Sequence, residues 1–350
     1  MNKKRTITRR KFVGTSAILG AGLLLPTQKI IGAPAILRDY GKPNSKIKGI
    51  QLGVITYSFR TMADQSAEAT LKYIVDSGIN AVELMGGPAE SFAGMPGSNL
   101  DRRTFYGLLR KQRNGESLSD EESKKLMDLQ EESRAYNAEV AKWRVNAPMK
   151  NFEQLRKMYN DAGVTIYAFK PNAFGKDNTD AEIVYGLRAA KALGATQVTL
   201  EHPSDDVHTL KLGQMAEKHQ IGVAYHGHEQ QTPTFWDTAL EQSPRNMLNA
   251  DMGHYVAAGN ENPLALLKKN HKRIASIHLK DRQTPAHGKE NMIWGNGDTP
   301  IGEILNLMRT ERYKFPATIE LEYEIPEGSD AVKEVSRCLE YCRQELKNEG

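Results

Sequence analysis

Five apolar runs in this chain, 197–201, 221–226, 246–251, 273–279 and 316–321, carry at or next to their ends Glu201, His226, Asp251, His278 and Glu320. Taken singly, each has a plain reading: a Glu there is usually a solvated rim residue or an ion-pair partner, and a His usually a hydrogen-bonded structural group. Charge following a buried run is costly without a partner, and five successive runs share the feature. Brought together, two Glu, one Asp and one His make a mainly oxygen donor set for a hard or borderline divalent ion, with Mn2+, Mg2+, Co2+ and Zn2+ all compatible. Such an ion can bind two neighbouring sugar oxygens and polarise a carbonyl. The hydrogen on the adjacent carbon becomes acidic, and a nearby carboxylate can remove it.

The elements that must position these residues are legible. Three further runs, 51–56, 80–85 and 164–169, precede the five, and their continuous apolar character suits strands covered on both faces. Helical stretches alternate with them: Leu71, Ile74 and Val75 form one apolar face stopped by Gly78, and Leu187, Ala190 and Leu193 another stopped by Gly194. Strand then helix, eight times, predicts a (β/α)8 TIM barrel over 50–350, whose strand ends converge on one mouth. The alternative is a doubly wound sheet, weakened by the lack of a Gly-rich phosphate fingerprint after the first strand. Between the second and third strands, residues 101–160 read as a charged helical insertion. It follows a strand, so it belongs to the mouth side; a substrate-gating lid is one reading, decoration the other.

The charge of the chain is uneven. The net formal charge is +4, yet residues 1–35 hold seven Lys and Arg and no acid, which leaves 40 basic against 43 acidic residues elsewhere. The body therefore gives no electrostatic reason to expect nucleic acid as a partner. Residues 1–35 run from Arg9-Arg10-Lys11-Phe12 through an apolar stretch (17–25) to Ala33 and Ala35. That order is a leader's, and the paired arginines resemble a twin-arginine signal, with export to the periplasm and the twin-arginine machinery as a partner. The apolar stretch is well short of the ~20 residues of a membrane-spanning helix. Cys338 and Cys342 are four apart on a predicted helix, a spacing that does not favour a disulfide. They read as small buried apolar residues.

Asp251-Met-Gly-His254, His278-Leu-Lys-Asp281 and Ile319-Glu320, with Trp294-Gly-Asn-Gly-Asp298 followed by 301–305, resemble the xylose isomerase-like barrels of the sugar epimerase type. These include tagatose 3-epimerase-like enzymes and inosose dehydratase, and the resemblance covers roughly residues 50–345. It implies one divalent metal ion held by Glu201, Asp251, His278 and Glu320, with Glu201 and Glu320 also the proton-transfer groups. Substrate contacts would come from His226, His228, His254 and Lys280. Glu322 shares a face with Glu320 and is its rival. Lys280 and Asp281 either touch substrate or form a rim ion pair. Members of the family often pair, so a homo-oligomer is a further expectation.

The implied activity is a metal-dependent sugar isomerase or epimerase working by proton abstraction next to a carbonyl. Loss of a β-leaving group from a keto-sugar or keto-glycoside is the lyase alternative. A metal-dependent endonuclease would carry more histidines and a basic groove. A non-catalytic sugar-binding barrel would need aromatic platforms, and aromatics are 7% of the chain.

Overall fold

The eight apolar runs form eight parallel strands that close on themselves, in a computed structural model that describes residues 42–348. In chain order they are β1 (Ile50–Ile55), β2 (Ala81–Met85), β3 (Thr165–Lys170), β4 (Gln197–Glu201), β5 (Gly222–His226), β6 (Asn246–Asp251), β7 (Ile274–Leu279) and β8 (Ala317–Ile319). Each pairs with the next, and β8 returns to β1 through Ala317–Leu52 and Ile319–Val54. A two-residue strand, Lys46–Ile47, adds antiparallel to β1. The leader read in residues 1–35 lies outside the described residues.

Helices cover the outer face of the barrel and bury the apolar side chains between them. Helix α1 (Ala67–Asp76) begins at Ser66, whose side chain accepts the Ala69 N–H. Helices α2 (Gly86–Phe92), α3 (Arg102–Arg113), α4 (Asp120–Asn146) and α5 (Met149–Asp161) all fall between β2 and β3. Helix α6 (Asp180–Leu193) starts with a Thr179–Glu182 capping box and stops at Gly194, whose φ of 78° is cheap only for glycine. Cys338 and Cys342 are buried free thiols on the last helix, Ala331–Asn348. No helix among the described residues is long and apolar enough to cross a membrane.

Of residues 101–160, α5 belongs to the outer ring: Phe152 and Leu155 are fully buried in the main core. The additional part is the pair α3 and α4, which has its own small cluster of Phe105, Leu108, Leu126 and Leu129. Its high charge has a simple cause: of the 27 residues of α4, only Leu126, Leu129, Val140 and Arg144 are buried, so the rest is a solvated face.

Arg144 ties this pair to the barrel. Its guanidinium lies 3.2 Å from Glu90 and 3.2 Å from Glu182 and donates to the Asn172 carbonyl at 2.8 Å. All three charged side chains are buried, so removing the cation strands two carboxylates. Arg144→Met is expected to cost about 3 kcal/mol in urea denaturation. A loss under about 1 kcal/mol would mean that solvent already screens the network.

Candidate active site

His226, Asp251, His278 and Glu320 meet at the C-terminal ends of β5 to β8, with one ligand atom from each lying within 4.8 Å of the others. Their side chains are almost wholly buried. The register makes the meeting: Asp251 lies beside His278, and His278 beside Thr318, two residues before Glu320. Beyond β8, the Glu320 N–H donates to the Leu279 carbonyl, which keeps the chain alongside β7.

The His226 tautomer suits a metal. Asn249 commits its amide to Glu83 and Ser276, so its oxygen accepts from His226 Nδ1–H at 2.7 Å. That leaves the His226 Nε2 lone pair free, 4.0 Å from Asp251 Oδ2. Burial, with Lys170 and His278 nearby, pushes the His226 imidazole down to about 3, so it is neutral. His278 has Nδ1 2.8 Å from Glu320 and Nε2 2.9 Å from Glu83. Burial opposes its charge, but Glu83 and Glu320 carry it up to about 10. Glu83 thus stands behind His278 where a carboxylate would orient the imidazole toward a metal. Asp251 Oδ2 is buried, with the Lys280 ammonium 3.0 Å away as its counter-charge. The donor chemistry of the group, two imidazoles and two carboxylates, fits a borderline divalent ion. Glu83→Gln is expected to weaken Mn2+ binding about 10- to 100-fold in calorimetry; unchanged binding would remove Glu83 from the account.

Glu201 stands outside this group of four, although the sequence reading made it a ligand and His226 a substrate contact. Its register partner is His226, but its half-exposed carboxylate turns to Lys170, 2.8 Å away, and to His228, 3.4 Å away. Burial works against its charge, yet His226 and Lys170 hold it down to about 2. Of the rivals beyond β8, Glu320 joins the group of four and Glu322 does not, its carboxylate lying 2.6 Å from Lys280.

The imidazoles of His226, His228 and His254 also cluster. His254 Nδ1, however, must accept from Arg282 at 2.6 Å, so a neutral ring turns Nε2–H outward. Burial, with Lys280, His228 and Arg282, holds it down to about 3. His254 is therefore a hydrogen-bond donor, 3.9 Å from Glu322.

The Lys280–Asp281 rim pair does not form. Lys280 turns into the carboxylates of Asp251, Glu320 and Glu322. Asp281 instead accepts backbone N–H groups from Gly295, Gly297 and Thr299, which fixes the glycine-rich turn after β7. Gly253 is required beside Lys280: a Cβ there would lie 2.2 Å from Lys280 Cγ and 2.7 Å from its carbonyl. Gly253→Ala is expected to lower stability by about 1–3 kcal/mol in thermal unfolding; a neutral result would show that the Lys280 stem is free to move.

A cavity of about 520 Å³ opens above the cluster. Its lining combines the polar side chains of Lys170, Glu201, His226, His228, Glu320 and Glu322 with the apolar ones of Ile55, Met85 and Phe174. Sequence reasoning missed Glu83 and Lys170. Lys170 ends β3, so the strand-end rule extended to one earlier strand finds it. Glu83 sits inside the apolar run of β2, where a lone acid is itself a signal.

A family model described as a xylose isomerase-like TIM barrel matches residues 131–342. An inosose dehydratase of Clostridium botulinum is 40% identical over 76 residues, which are 20% of this chain and 25% of that protein. The chain thus matches only about a quarter of the length of this relative. Among solved structures, a probable 3-DHS dehydratase of Bacillus anthracis superposes with a TM-score of 0.55 at 12% identity, covering 86% of this chain and 100% of that one. A 3-keto-D-glucoside 4-epimerase from E. coli gives 0.53 at 12% identity, covering 84% and 100%. At such identities these two likenesses show a shared fold.

Proposed function

The chain belongs to the xylose isomerase-like TIM barrel family, and from that premise we propose that it is a metal-dependent sugar isomerase or epimerase, moving a proton on the carbon next to a carbonyl. The observation that carries the reading is the group of four, whose His226 and Glu320 line a cavity that Glu201 and Glu322 also line. A divalent ion in this donor set would supply Lewis acidity toward a sugar carbonyl.

The remaining work falls to the chain. Glu201 ends β4, and Glu320 and Glu322 follow β8, on the far side of an eight-stranded ring. A substrate carbon between them faces a carboxylate from either side. Glu201 takes the proton at one face, and Glu320 or Glu322, as the neutral acid with a proton drawn from solvent, gives one at the other, which inverts that carbon; protonation at the neighbouring carbon isomerises the sugar. The Lys170 ammonium, which lines the cavity, is a donor for substrate oxygens.

The test is solvent exchange. Keto-sugars incubated with the Mn2+-loaded protein in D2O should take up deuterium at one carbon by NMR. Glu201→Gln should slow this about 10²–10⁴-fold while the ion stays bound. No exchange with any keto-sugar, with metal bound, would end the proposal.

A second reading is elimination of a β-leaving group from a keto-glycoside. It is favoured by the apolar residues in the cavity lining, Ile55, Met85 and Phe174, which suit an aglycone attached to the sugar. Release of the aglycone in the same experiment distinguishes it. The leader supports export to the periplasm, which favours free sugars over sugar phosphates; fractionation of cells expressing Arg9→Lys/Arg10→Lys tests it, with loss of export expected and unchanged export refuting the route.

A further inference from the structure

The ammonium of Lys280 occupies the centre of the site's carboxylates. Its Nζ lies 3.0 Å from Asp251 Oδ2, 2.8 Å from Glu320 Oε2 and 2.6 Å from Glu322 Oε2. The Lys280 side chain is 3% exposed, so water screens these contacts little. Two of the three carboxylate oxygens are the ones that converge with His226 and His278 on the ligand group. The fit is built in: the glycine at 253 opens the channel through which the lysine stem passes.

Resting on the metal reading above, we infer that Lys280 is an internal cation that competes with the divalent ion for Asp251 and Glu320 and sets how tightly the ion is held. Without a cation the buried carboxylates of Asp251 and Glu320 and the part-exposed one of Glu322 would repel one another, so the lysine lets the metal-free barrel fold. Once an ion is bound, a positive charge a few ångströms away that shares two of its oxygens opposes it. Glu322, which contacts Lys280 but is not among the four ligands, is then the group that keeps the ammonium as the ion arrives.

The experiment is Mn2+ titration by calorimetry of the full chain, with metal-free and Mn2+-saturated thermal unfolding alongside. The proteins are wild type, Lys280→Met, which keeps the length of the stem, and Lys280→Met/Glu322→Gln, which restores the wild-type net charge. Lys280→Met should bind Mn2+ about tenfold or more tightly than wild type. Its metal-free form should melt lower, and saturating Mn2+ should raise its melting temperature by more than it raises that of wild type. The double variant should also bind more tightly than wild type, and it carries the test if the single variant does not fold without metal. Unchanged or weaker binding in the folded variants overturns the inference, because the lysine would then be positioning the ligands. A wild type that binds no Mn2+ overturns the metal reading instead.

Discussion

His278→Ala should lose the divalent ion: Mn2+ affinity falls about a hundredfold or more, since a four-ligand site spreads ~10–16 kcal/mol over its ligands and each 1.4 kcal/mol is tenfold. The metal-free variant should also be less stable by about 3 kcal/mol in urea. Both effects come from one position. His278 is fully buried, with Glu320 on one ring nitrogen and Glu83 on the other. Alanine removes a ligand and also the group that balances two buried carboxylates. Calorimetry and denaturation together test this. Retained affinity with lost stability would make His278 a structural imidazolium.

The second large effect separates two residues that neighbour each other across β4 and β5. His226→Ala should bind Mn2+ about a hundredfold more weakly. Glu201→Ala should keep the ion but lose proton exchange by about 10²–10⁴-fold. The argument is geometric. His226 presents a free Nε2 toward Asp251, while Glu201 turns to Lys170 on the cavity wall. The reverse pattern, with metal lost only in Glu201→Ala, would return Glu201 to the ligand set and send His226 back to substrate binding.

This pair also marks where sequence reasoning reached its limit. The barrel was legible because each strand is a continuous apolar run bounded by a helix signal, and because burial on both faces leaves little choice of residue. Asp251, His278 and Glu320 were legible as polar groups following such runs. Which of Glu201 and His226 lies beside Asp251, His278 and Glu320 was not. Both end a strand at the same level, and what separates them is the Lys170 ammonium, contributed by β3 and far away in sequence. The partners of Lys280 were hidden for a similar reason. Its neighbour Asp281 suggests an ion pair, but adjacent strand residues point to opposite faces. Lys280 turns inward to Asp251 and Glu320, and Asp281 outward to the turn at 295–299. The structural role of Arg144 was out of reach because its partners, Glu90 and Glu182, come from two other helices.

The central claim is that His226, Asp251, His278 and Glu320 hold a divalent ion at the barrel mouth. It is tested most directly by mass-spectrometric metal content after dialysis against Mn2+, Co2+ or Zn2+, with Asp251→Asn measured alongside wild type. About one ion per chain in wild type, and far less in the variant, is the predicted result. No ion retained by wild type from any of the three metals would contradict it, and would leave the strand-end cluster as a structural network of ion pairs.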